Sequence, residues 1–141
     1  MSALLLDASV ILAAFDSDES SHQPAGALLG DDALTIATLD LARYEVANVA
    51  IRAWRAPHRV ASLLDVIDAI AGDGGVLRSS STLLARASEL AEEHAISVYD
   101  AAYVAAARQS GGTLVSCDLR DLIGRRLALS PADARGRRGR A

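Results

Sequence analysis

Residues 97–118 read S-V-Y-D-A-A-Y-V-A-A-A-R-Q-S-G-G-T-L-V-S-C-D. Ser97 is placed to cap a helix over Val98–Gln109, Gly111 and Gly112 end it, and Thr113–Ser116 reads as a strand. A carboxylate, Asp118, stands just beyond that strand. The chain opens the same way, with the apolar run Ala3–Leu6 stopping at Asp7. Short apolar runs joined by helices predict strands buried on both faces of a parallel sheet.

The rest of the chain extends that alternation. Ser9 is read as the cap of a helix over Val10–Phe15, and Gln23–Leu29 as a second helix ending near Gly30. Ala33–Ala37 is read as strand two. Leu39–Trp54 carries apolar residues at 39, 42, 46, 49, 50 and 53, a helical spacing. Pro57 separates it from a helix over Val60–Ala71, and the turn Gly72–Gly75 leads into a third strand at Val76–Leu77. Thr82–His94 is the next helix. Beyond Asp118 a short helix, Leu119–Arg125, and a last edge strand, Leu127–Leu129, are expected. The class is therefore α/β, with four to five short strands in one domain over residues 1–133. Residues 134–141 are expected to form a disordered, arginine-rich tail.

Composition narrows the chemistry. Half of the 141 residues are hydrophobic, but aromatics are scarce, so Leu, Ala, Val and Ile must build the core. All fourteen basic residues are arginine, which excludes mechanisms built on a lysine amine. It also disfavours a phosphatase or phospho-receiver, since those folds usually place a lysine near the phosphate. Cys117 is the single cysteine and cannot form an internal disulfide. No run approaches the roughly 20 apolar residues of a membrane span, and no charged leader precedes the first strand, so a soluble cytoplasmic protein is expected. The net charge of −4 hides an asymmetry, because residues 135–141 hold four arginines and no acid.

Four acids are candidates for a site. Asp7 and Asp118 follow strands one and four. Glu45 lies in Y-E-V-A-N-V (44–49) among apolar helical neighbours, and Asp100 lies in the most apolar helix of the chain. A charge in such surroundings costs several kcal/mol unless it is paired or metal-bound. Clustered carboxylates raise one another's pKa, and a divalent cation with a preference for oxygen resolves the repulsion. Each acid alone also fits a cap, a turn or a surface position.

Four segments carry a resemblance: L-L-L-D-A-S at 4–9, Y-E-V-A-N-V at 44–49, S-V-Y-D-A-A-Y-V-A-A-A at 97–107 and T-L-V-S-C-D-L-R-D-L at 113–122. Their order and spacing resemble the acidic motifs of PIN-domain nucleases, and most of all the VapC toxins of bacterial VapBC toxin–antitoxin systems. The resemblance implies a three-layer α/β/α fold and an endoribonuclease dependent on Mg²⁺ or Mn²⁺. It implies that Asp7, Asp100 and Asp118 bind metal and that Glu45 completes the acidic site. Ser9 and Ser116 match positions where a hydroxyl bonds the acids, and Asp121 matches a variable extra acid, read here as a helix-surface residue. A homodimer and a cognate VapB-like antitoxin are implied as partners, with structured RNA as substrate. The alternative is a non-catalytic RNA- or partner-binding module on the same fold.

Other residues are read more plainly. His22, His58 and His94 lack paired spacing and are read as surface residues. Arg43, Arg52 and Arg55, with Arg59, are candidate phosphate contacts. Trp54 is read as a core or dimer residue.

Overall fold

A computed structural model describes residues 3–139. Four parallel strands form the sheet: β1 (Leu4–Leu6), β2 (Ile36–Leu39), β3 (Val76–Leu77) and β4 (Thr113–Val115), in the order β3-β2-β1-β4. Leu4, Leu5 and Leu6 of β1 face Thr113, Leu114 and Val115 of β4. On its other edge β1 pairs with β2, Leu4 against Ile36 and Leu5 against Ala37.

Helices fill every crossover. Between β1 and β2 run α1 (Ala8–Ala14) and α2 (His22–Leu29). Between β2 and β3 run α3 (Leu41–Arg52) and α4 (Val60–Gly72), and between β3 and β4 run α5 (Ser81–His94) and α6 (Val98–Ser110). After β4 comes α7 (Pro131–Gly139).

The strand runs are apolar throughout because helices cover both faces. Successive side chains of a strand point to opposite faces. Leu5 and Leu114 accordingly join the core packed by α3, α4, α5 and α6, with Leu63, Ile67, Leu83, Leu90 and Tyr103. Leu6 and Val115 join a second core with Val10, Leu28 and Ala134, under α1, α2 and α7. This is the three-layer α/β/α arrangement.

Several expected boundaries move. Strand two lies at Ile36–Leu39 rather than 33–37. It contains the buried Thr38, whose hydroxyl donates to the Leu6 carbonyl at 2.7 Å and breaks the apolar run. Leu127–Leu129 is not a strand: only Leu129 bridges to Val115. A helix spans the start of the expected tail. Ser130 caps α7 by accepting from the Asp133 N–H at 3.1 Å, and Ala134 is 3% exposed, so helix continues to Gly139. Residues 140–141 lie outside the described residues. No helix among the described residues is long and apolar enough to cross a membrane.

Candidate active site

The strand order locates the site. The chain steps outward from β1 to β3, then returns to β4 on the other side of β1. The crevice beyond the carboxyl ends of β1 and β4 is therefore the switch point where open α/β sheets bind ligands. Asp7 follows β1 directly, and its N–H donates to the Val115 carbonyl at 3.1 Å, which fixes its backbone between the two strands.

Asp7 is also the cap of α1, a role the sequence had suggested for Ser9. Its carboxylate accepts from the N–H groups of Ser9 at 3.0 Å and Val10 at 3.3 Å, so the helix begins at Ala8. The Ser9 hydroxyl donates to the same oxygen and accepts from the Cys117 N–H at 2.9 Å. It lies 3.4 Å from the hydroxyl of Ser116, which accepts from the Asp118 N–H at 3.0 Å. Two serines thus tie together the ends of the central strands. Asp7 is 5% exposed. Burial pushes its pKa up to about 6, helped by the charge of Glu45 and opposed by the Ser116 and Ser9 hydroxyls and the Val10 N–H.

Asp118 accepts from the N–H groups of Arg120 and Asp121 at 3.1 and 2.9 Å. The chain then winds in a wide turn over Leu119–Ile123, with bonds from Ile123 N–H to Asp118 and from Gly124 N–H to Leu119. The expected short helix to Arg125 gives way to this single turn. Curling the backbone around the Asp118 carboxylate carries Asp121, whose side chain is 36% exposed, to the same place. Asp100, Asp118 and Asp121 are half-buried, and each can offer a carboxylate oxygen within 4.8 Å of the others.

Asp100 sits in the first turn of α6, where Ser97 caps the helix by accepting its N–H at 3.0 Å. Glu45 faces it from α3. One α6 turn beyond Asp100, the Tyr103 hydroxyl donates to Glu45 Oε1 at 2.6 Å. Tyr103 is only 2% exposed and did not stand out in the sequence. The available signal was a tyrosine three residues after an acid in an alanine-rich helix, since a buried phenol needs a partner.

The acids repel one another in series. Burial raises the pKa of Glu45, the charge of Asp100 adds to it, and the Tyr103 bond opposes. Burial also raises that of Asp100, with Asp118 and Asp121 adding and Ser97 opposing. Among the described residues no cation lies within ion-pair distance of Asp7, Glu45, Asp100 or Asp118, and only Asp121 has one, Arg125 at 3.8 Å. Such a group fits a hard divalent cation. With ligand distances of about 2.0–2.1 Å, octahedral oxygens sit roughly 3–4 Å apart. The Asp100–Asp118–Asp121 trio, with oxygens within 4.8 Å of one another, is of that order. Asp7 and Glu45 stand outside the trio, joined to it through charge.

The PIN domain family profile matches residues 4–125. Over 123 residues the chain is 36% identical to Ribonuclease VapC3 of Pyrobaculum aerophilum, covering 82% of this chain and 88% of that protein. The chain belongs to the PIN-domain family, in its VapC branch. Its fold is similar to that in a toxin–antitoxin complex from Klebsiella pneumoniae, at TM-score 0.66 and 18% identity over 92% of this chain and 98% of that one. It is also similar to Mycobacterium tuberculosis VapC20, a toxin that cleaves the sarcin-ricin loop, at TM-score 0.65 and 20% identity over 84% of this chain and 92% of that one.

In this PIN domain none of the candidate arginines forms an ion pair with the acids of the site. Arg43 pairs with Asp68 of α4 at 3.3 Å, and Arg52 and Arg55 are exposed at the far end of α3. Arg59 instead lies over the Trp54 ring, 4.4 Å from its centroid, and donates to the Phe15 carbonyl. Trp54 packs against the core and lines a cavity of about 280 Å³ together with Ser9 and Asp118, so it borders the site. Of the histidines, His58 is exposed. His22 and His94 are half-covered rather than open, and the His22 Nδ1 donates to the Ala13 carbonyl at 2.8 Å.

Proposed function

We propose that this PIN domain is an endoribonuclease dependent on a divalent cation, the toxin of a type II toxin–antitoxin pair, and that it hydrolyses phosphodiester bonds in structured RNA. The observation that carries this reading is the convergence of Asp7, Glu45, Asp100, Asp118 and Asp121 at the switch point, where the first four lack a cation partner among the described residues. The ribonuclease name of the Pyrobaculum relative supports RNA as substrate.

Asp7, Asp100 and Asp118 would hold Mg²⁺ or Mn²⁺, with Asp121 beside them and Glu45 completing the acidic site. When bound, the ion supplies an activated water and neutralises charge developing on the phosphoryl oxygen. The chain's own residues keep the acids in place. Ser9 holds the Asp7 carboxylate, Ser116 holds the Asp118 backbone, and Tyr103 fixes one oxygen of Glu45. Arg52 and Arg55 are free to meet RNA phosphates, whereas Arg43 would first leave Asp68.

An antitoxin has a surface to occupy. Tyr44, Ile51 and Tyr99 are 78%, 47% and 63% exposed around a cavity of about 900 Å³ whose wall includes Glu45. An apolar helix laid there could place an arginine against the acids. A homodimer is part of the same reading.

Incubating the purified chain with a structured RNA in Mn²⁺, in Mg²⁺ and in EDTA tests the proposal. New RNA ends should appear only with the metals. RNA that is bound but left intact in all three would favour the non-catalytic binding module.

A further inference from the structure

A groove between α6 and α7, floored by the outer edge of β4, plays no part in the acidic site. Its volume is about 550 Å³. Leu114, Leu127 and Leu129 contribute an apolar floor, and Arg108, Arg126 and Arg137 line its rim. All three arginines are exposed. None of them has an ion-pair partner among the described residues, in a chain where acids outnumber bases eighteen to fourteen. Asp133 is the one acid in the lining. Arg126 adopts a left-handed φ of +60°, where the Leu127 N–H closes the turn on the Leu122 carbonyl at 2.9 Å.

We propose that Arg108, Arg126 and Arg137 form an RNA exosite that holds phosphates of the substrate strand while a base rests on the apolar floor. This rests on the ribonuclease reading above. A site made of carboxylates repels the phosphate backbone it must engage, so a local cluster of positive charge is needed to hold the polyanion. The guanidinium fork suits phosphate oxygens. Arg125, adjacent in sequence to Arg126, pairs with Asp121 at 3.8 Å. Along α6, Arg108 stands eight residues from Asp100, about 12 Å. At roughly 3.4 Å per stacked nucleotide, a strand seated at the acids reaches the groove within about four nucleotides. This short reach favours RNA over an acidic protein segment as the occupant.

The test measures binding of a short single-stranded oligoribonucleotide to the full chain in EDTA over a series of salt concentrations. The Arg108→Gln/Arg126→Gln variant should bind about tenfold more weakly, and its log K against log salt slope should fall by about 1.4, two single-strand phosphate contacts. Arg78→Gln, on an exposed position between β3 and α5, should change neither quantity. Wild-type affinity and slope in the double variant would overturn the exosite. An equal loss in the Arg78→Gln control would also overturn it, because binding would then be diffuse. Unchanged RNA binding with weakened binding of poly-glutamate would overturn it in favour of an acidic protein segment. If the wild type binds no RNA in EDTA, or binds it and the double variant is unchanged, the exosite falls alone; the ribonuclease reading falls only if the chain leaves RNA intact in Mn²⁺ and Mg²⁺.

Discussion

Replacing Asp100 by Asn should leave the chain folded and reduce RNA cleavage by at least about 100-fold. Loss of a group that merely orients a metal ligand typically costs 10- to 100-fold, and a carboxylate in the cation site itself should cost at least as much. Asp100 lies at the middle of the acid series, with Glu45 on one side and Asp118 and Asp121 on the other. Asn keeps the shape and removes the charge. The fold does not depend on that charge, since Asp100 is half-buried and its backbone N–H is already satisfied by Ser97. In EDTA the thermal midpoint should therefore stay level or rise, because one source of repulsion is gone. The measurement is cleavage rate beside the melting curve of the metal-free protein. Wild-type cleavage by Asp100→Asn would place the chemistry elsewhere.

The second large effect is on stability against pH. Asp7 titrates at about 6 in the folded chain and at about 3.9 unfolded. A carboxylic acid whose folded pKa is raised favours the fold while protonated. That contribution is complete below the unfolded value and is lost as pH rises through about 6. Two units correspond to about 3 kcal/mol. Metal-free wild type should therefore lose stability, relative to Asp7→Asn, between about pH 4 and pH 7, and the variant should be the more stable protein at neutral pH. Mn²⁺ added at neutral pH should reverse the difference, because a cation stabilises the ionised cluster of the wild type. Chemical denaturation at pH 5 and pH 7.5, with and without metal, reads all of this. Parallel pH profiles for the two proteins would contradict the burial of Asp7.

The sequence was most legible where a side chain answers to one local rule. Ala3–Leu6 and Thr113–Ser116 were recognisable as strands because both faces of the sheet are covered and the runs are apolar without alternation. The Ser97 cap and the Gly111 stop of α6 were equally plain, Gly111 taking φ +71°. Rules failed where two residues compete or the backbone departs from a standard winding. Ser9 and Asp7 are both good caps, and only the fold shows that Asp7 wins. Asp121 reads as part of an ordinary helix, and the wide turn after Asp118 is what sets it beside Asp100 and Asp118. Composition argued for disorder in the arginine-rich end, but Ser130, Pro131 and the burial of Ala134 against the second core start a helix there. Tyr103 was hidden because its role depends on Glu45, 58 residues earlier in the chain.

The central claim is that these carboxylates hold a divalent cation. Calorimetric titration of Mn²⁺ into the metal-free chain at pH 7.5 tests it most directly, with Asp100→Asn/Asp118→Asn measured alongside. Saturable binding to the wild type that disappears in the double variant is the predicted result. No binding to the wild type, or equal binding to both proteins, would contradict it.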